Sequence, residues 1–171
     1  MKHLPNIMDF EASGPGTDSF PIEVGYCLSS GERYSTLIRP AESWQHWDQR
    51  AERLHKIPRQ LLLEKGQSLA AVAQSLNRRL SGQVLFSDSW VVDKTWLNQI
   101  YAMAGIAPTF ELKPIERIQS ECQYLTWGRM KQNVMQGIGE QRHRASTDAR
   151  IVQRVFVKTL AECRPQHLSM A

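Results

Sequence analysis

Three strand-like segments follow one another at the N-terminus of this chain, and from there helical and strand patterns alternate, an order that few folds accommodate. Residues 4–10 are short and mostly apolar, end in acid and run into Gly14-Pro15-Gly16, the pattern of a buried strand leading to a turn. Residues 20–28 alternate, with Ile22, Val24, Tyr26 and Leu28 on one face, and residues 33–39 can pair with them across the Ser29-Ser30-Gly31 turn. Residues 47–63 read as helical pieces broken at Pro58, and 68–80 as a helix with Ser68 as N-cap and Gly82 as stop. Strand at 83–86, helix at 93–104, strand at 109–112 and helix at 116–135 follow. After Gly137-Ile138-Gly139 a last helix over 146–163 buries Ala149, Val152, Val155, Phe156, Thr159 and Leu160. The expected architecture is α/β, a mixed five-stranded central sheet with helices on both faces.

A length of 171 residues suits a single domain spanning 1–171, and 42% apolar with 22% charged residues excludes disordered and fibrous chains. No repeat or low-complexity tract interrupts the pattern. No apolar run reaches the length of a signal peptide or a membrane span, so no membrane association and a cytoplasmic location are expected. Cys27, Cys122 and Cys163 are odd in number and widely spaced, and they read as reduced thiols rather than a disulfide framework or zinc knuckle. The formal charge is +4, and its excess is C-terminal: residues 113–171 hold ten Lys or Arg against five Asp or Glu. A solvated helix face explains such a bias on its own; beside a site it would favour an anionic partner. The last six residues lack the aromatic of a sliding-clamp peptide, and no clamp partner is expected.

The chemistry-bearing residues come in three groups. Asp9-Phe10-Glu11 ends the first strand, and the period of two points both carboxylates to one face while Phe10 enters the core. Two unpaired acids at a buried strand end repel, and a divalent cation relieves that repulsion. Asp93 follows the fourth strand and opens a helix, as a dipole-stabilised first-turn acid or as a metal ligand, with Asp88 a few residues before it. His143 precedes the last helix and Asp148 falls in its first turn, so both can face one pocket from different angles. Taken singly, each group also fits a cap or a surface pair.

Together they resemble a known family. Asp9-Phe10-Glu11-Ala12-Ser13-Gly14, Pro21-Ile22-Glu23-Val24-Gly25, Asp88-Ser89-Trp90-Val91-Val92-Asp93 with Trp96-Leu97, and His143-Arg144-Ala145 with Asp148-Ala149 resemble, in order and spacing, the DEDDh (DnaQ-like) 3′→5′ exonuclease superfamily of the proofreading type. The resemblance runs from about residue 5 to about residue 160. It implies a ribonuclease H-like fold, with Asp9, Glu11, Asp93 and Asp148 as ligands of two divalent ions, Mg²⁺ or Mn²⁺, and His143 as the base that activates water. It also implies Ala12 and Ser13 as contacts to the 3′-terminal sugar, while position alone suggests Arg144 and Arg142 as phosphate contacts. The second motif, Ser87-Asp88-Ser89-Trp90, lacks the Asn that many relatives carry there, which removes no metal ligand.

The function so implied is metal-dependent release of nucleoside monophosphates from the 3′ end of single-stranded DNA or RNA. The alternatives are a subunit that binds nucleic-acid 3′ ends with little catalysis of its own, and a phosphohydrolase of free nucleotides. Trp44, Trp47 and Trp90 are candidates to stack on bases, although packing is the commoner use of such residues. Relatives of this kind often pair, which leaves a homodimer open.

Overall fold

In the computed structural model, residues 4–137 and 142–164 are described; residues 138–141 of the glycine-containing loop, 1–3, and the 165–171 tail, where no clamp peptide is expected, lie outside them. Strand β1 (Ile7–Ala12) is the middle of a five-stranded sheet ordered β3-β2-β1-β4-β5. It pairs antiparallel with β2 (Pro21–Cys27), which pairs antiparallel with β3 (Arg33–Leu37). On its other side it runs parallel to β4 (Val84–Ser87), which is parallel to β5 (Glu111–Pro114). The mixed sheet expected from the sequence is therefore present. Antiparallel neighbours join by turns, and the parallel ones require crossovers, which the helices between β3 and β4 and then the helix between β4 and β5 supply.

Helix α1 (Gln49–His55) starts where the Asp48 side chain accepts from the backbone N–H of Arg50 and Ala51, and α2 (Arg59–Lys65) starts after Pro58, the expected break. Helix α3 (Leu69–Leu80) carries the Ser68 N-cap, whose hydroxyl accepts from Ala71 N. Helix α4 (Trp90–Ala104) begins a turn earlier than its apolar spacing suggests, and the indole of its first residue donates a 2.9 Å hydrogen bond to Leu112 O. A 3-10 turn at Ile115–Ile118 precedes α5 (Glu121–Gln136), whose start is a capping box between Ser120 and Gln123. Helix α6 (Ala145–Glu162) closes the described chain.

The alternation along β1 and β2 separates the two faces of the sheet. Met8, Phe10, Val24 and Tyr26 join Val72, Ala73 and Leu76 of α3 and Leu97 and Ile100 of α4 in the larger core. Ile7 and Cys27 face the other way, onto Ala149, Val152 and Phe156 of α6. Gly25 lies on that second face, opposite Asp9, and a Cβ there would sit 2.4 Å from Ser146 N, so only glycine lets the first turn of α6 come this close to the strand.

The thiols differ from the sequence expectation. Cys122, in the first turn of α5, is disulfide-bonded to Cys163 at the end of α6, with Cα atoms 5.9 Å apart, and Cys27 is a buried free thiol. Spacing along the chain concealed the pair because α5 and α6 pack as an antiparallel hairpin, which brings residues 41 positions apart to the same end. Among the described residues no helix is long and apolar enough to cross a membrane.

Candidate functional site

The acids of β1 emerge on the α6 face. Asp9 and Glu11 line a cleft of about 240 Å³ together with Asp88, Lys131, Arg142, His143 and Asp148. Ligand atoms of Glu11, His143 and Asp148 all lie within 4.8 Å of one another. Three separate segments build this group: the end of β1, the residue before the N-cap of α6, and the first turn of α6. The hydrogen bond from the His143 backbone to the Asp148 carboxylate ties two of them together. His143 has φ 59°, a left-handed conformation that costs a non-glycine residue about 1–3 kcal/mol and that the surroundings must hold.

Asp93, buried at the start of α4, is turned toward the sheet, where its carboxylate accepts a hydrogen bond from the Ser87 hydroxyl at the end of β4. Asp88 accepts from Lys131 Nζ at 2.6 Å and from the Trp127 indole at 3.4 Å, which fastens α5 to the rim of the cleft. The participation of Lys131 is invisible in the sequence, where it is one basic residue on an exposed helix.

Electrostatically the cleft holds more acids than cations, with Asp9, Glu11, Asp88 and Asp148 against Lys131 and Arg142 in its lining. Burial is the largest cause of a raised Asp9 pKa, and the charges of Asp93, Glu11, Asp148 and Asp88 push it further. Glu11 is pushed up to about 8 by burial first and then by Asp148 and Glu23. Asp93 is raised to about 7 by burial, partly countered by its Ser87 hydrogen bond. Asp148 is also raised by burial, against the opposing influence of His143. Three carboxylates with raised pKa, Asp9, Glu11 and Asp148, line the cleft, and Asp93 lies near enough behind them to push Asp9 up; such hard oxygen donors beside one imidazole are chemically suited to divalent cations of the Mg²⁺ or Mn²⁺ kind.

The other candidates are placed differently from one another. Ala12 is half-buried at the end of β1. Ser13 is buried, and its hydroxyl meets His46 Nδ1 at 3.0 Å and accepts from Phe20 N at 3.1 Å, so the side chain serves the loop. Arg142 faces the cleft, whereas the Arg144 guanidinium turns to Glu23 on β2, donating from Nη2 at 2.7 Å and from Nε at 3.0 and 3.2 Å. Trp44 and Trp47 pack on Phe20, with ring centroids at 5.1 and 6.4 Å, and Trp90 packs against the larger core. Glu23 belongs to the Pro21-Ile22-Glu23-Val24-Gly25 motif, which by itself assigns it no role. An acid at the position facing Glu11, within the otherwise apolar strand PIEVGYC, is the signal that could have found it.

An α/β fold with carboxylates gathered at the end of its central strand is the ribonuclease H-like arrangement implied by the resemblance. No protein-family model and no curated protein sequence matches the chain. Solved structures do. The chain has the fold of exonuclease I: it matches the zinc-bound complex of Escherichia coli exonuclease I with single-stranded DNA at a TM-score of 0.73 and 16% identity, over 94% of this chain and 41% of that one. It matches exonuclease I from Methylocaldum szegediense at 0.71 and 14% identity, over 94% and 41%. The E. coli enzyme in complex with a dA16 oligonucleotide gives 0.68 and 14%, again over 94% and 41%. This chain thus spans about two fifths of the length of the structures it matches.

Proposed function

We propose that this protein is a metal-dependent 3′→5′ exonuclease that removes nucleoside monophosphates from single-stranded nucleic acid. The observation that carries this reading is the convergence of Glu11, His143 and Asp148 within 4.8 Å, beside Asp9, in a fold shared with exonuclease I. Asp9, Glu11, Asp93 and Asp148 would hold two divalent ions, which would offset the carboxylate charge and supply Lewis acidity at the scissile phosphate.

The side chains of the chain itself divide the remaining work. His143 accepts the proton of the attacking water as the new oxygen–phosphorus bond forms and the bond to the 3′-oxygen of the penultimate nucleotide breaks, releasing a nucleoside 5′-monophosphate and a shortened strand with a 3′-hydroxyl. Arg142 and Lys131, at the cleft, attract the phosphate backbone. The backbone at Ala12 and Ser13, just past Glu11, would receive the terminal sugar, as the family resemblance implies. A Ser13 hydroxyl committed to the loop favours recognition there through the main chain.

The test is shortening of 5′-labelled single-stranded DNA and RNA of equal sequence with Mg²⁺ or Mn²⁺, comparing the native chain with Asp9→Ala and His143→Ala. Stepwise loss from the 3′ end that requires metal and disappears in both variants is the expected result, and the ratio of the two rates names the preferred sugar. Binding of both strands without shortening under either metal would replace this reading with that of a 3′-end-binding subunit.

A further inference from the structure

The residues around His143 raise a question the cleft does not answer: what holds a non-glycine residue at φ 59° beside Asp148, at the end of a glycine-containing loop? On its C-terminal side the answer is one strand away from the cleft. Glu23 is fully buried on β2, directly across from Glu11 in the antiparallel register. Its carboxylate accepts from Arg144 Nη2 at 2.7 Å, from Arg144 Nε at 3.0 and 3.2 Å, and from the backbone N–H of Ala145 at 3.0 Å.

Ala145 is the first residue of α6, and Arg144, its N-cap, has no side-chain cap of its own. Glu23 therefore caps α6 from outside, satisfying an N-terminal N–H with a negative charge at the positive end of the helix dipole. The Arg144 carbonyl in turn accepts from Thr147 N at 2.8 Å and Asp148 N at 2.9 Å. A single bidentate fork thus fixes the backbone between His143 and Asp148, and its planar geometry sets orientation as well as distance. Gly25, two residues further along β2, permits the close approach that the fork requires.

We infer that Glu23 and Arg144 are positioning residues: together they hold His143 and the first turn of α6 in register with Glu11, and Arg144 acts through this fork rather than by gripping substrate. This rests on the exonuclease reading above. Because misplacement of a reacting group by about 1 Å costs about a hundredfold in rate, loosening the fork is expected to act on kcat. A direct phosphate contact would act on KM.

The experiment compares the native chain with Arg144→Lys and Glu23→Gln. Lysine retains the charge opposite Glu23 and loses the fork; glutamine retains the shape and loses the charge. Four quantities are read: kcat and KM on a 5′-labelled single-stranded oligonucleotide, the Mg²⁺ concentration at half-maximal rate, the melting temperature, and the ¹⁵N-histidine side-chain spectrum of the metal-free protein, with the His143 signal assigned from His143→Ala. For Arg144→Lys the expected result is kcat lower by about a hundredfold, KM and the Mg²⁺ midpoint within about twofold of native, and a shifted or broadened His143 resonance in a folded protein. A raised KM with native kcat would overturn the inference and make Arg144 a substrate contact. So would native kcat with an unchanged His143 resonance in both variants, or unfolding of both, which would make the pair a determinant of folding alone. If the native chain shortens no strand, the exonuclease reading fails, while the His143 resonance still decides whether the fork orients that residue.

Discussion

Glu11 and Glu23 face each other across paired strands, on the same side of one sheet, and the regions around them differ in almost every physical respect. The region around Glu23 is closed and balanced: a guanidinium and a backbone N–H take its oxygens, and α6 covers it. The region around Glu11 is a cleft in which more acids crowd together than there are cations to meet them, and burial drives the Glu11 pKa to about 8. Identical side chains in adjacent register have thus been put to opposite uses. Where the protein supplies the countercharge, the carboxylate organises structure; where it withholds it, the carboxylate is left to bind something else.

Substitution at the two glutamates is the sharpest way to break this comparison. Glu11→Gln is expected to lower exonuclease turnover by about a thousandfold through loss of charge at the reacting phosphate, yet to raise the melting temperature of the metal-free protein at pH 8, since it removes a buried repelling charge. Glu23→Gln is expected to do the reverse to stability, costing about 1–3 kcal/mol in denaturant titrations because it takes the charge from a fully buried acceptor that Arg144 and the Ala145 N–H both use. If both variants moved the melting temperature in the same direction, the distinction between the two regions would fail.

The disulfide tests a third region, remote from both. Opening the link between Cys122 and Cys163, by reduction or by Cys122→Ser, is expected to lower stability by about 3 kcal/mol. It should leave the Mg²⁺ midpoint for activity unchanged, because the link joins the start of α5 to the end of α6 while the cleft lies at the other end of both helices. Equal thermal melts with and without reductant would remove it from the account.

The gentlest test is pH. A carboxyl with a raised folded-state pKa binds more protons folded than unfolded, so its contribution to stability declines as pH climbs from the ordinary carboxylate range toward the folded value. For Glu11 that window runs from near 4.5 to about 8, and Asp93, raised to about 7, acts in the same sense. Melting temperatures of the metal-free protein should therefore fall from pH 5 to pH 8. Added Mg²⁺ should stabilise more at pH 8, where the carboxylates are free of protons, than at pH 5. A flat metal-free profile would mean that the cleft does not hold its acids against repulsion.

Much of this was legible from residues alone. The period of two placed Asp9 and Glu11 on one face and Phe10 on the other, and they stand that way because alternation is a property of the strand itself. The break at Pro58, the Ser68 cap and the last helix were readable for the same local reason. Partners were not. Arg144 suggests a phosphate contact until Glu23, 121 residues earlier, claims its guanidinium. Trp44 and Trp47 suggest base stacking until Phe20 is seen beneath them. Cys122 and Cys163 suggest free thiols until two helices fold back on each other.

Sequence by itself determined the order of strands and helices, the face on which each strand acid emerges, and which acids and which histidine were candidates for the cleft, because these depend on local periodicity and on side-chain chemistry. Tertiary structure alone decided which charges are compensated. An acid on β2 neutralises an arginine at the entry to α6, the acids on β1 crowd with Asp148 in a cleft lined by fewer cations than acids, and that difference arises only when β1, β2 and α6 are packed together.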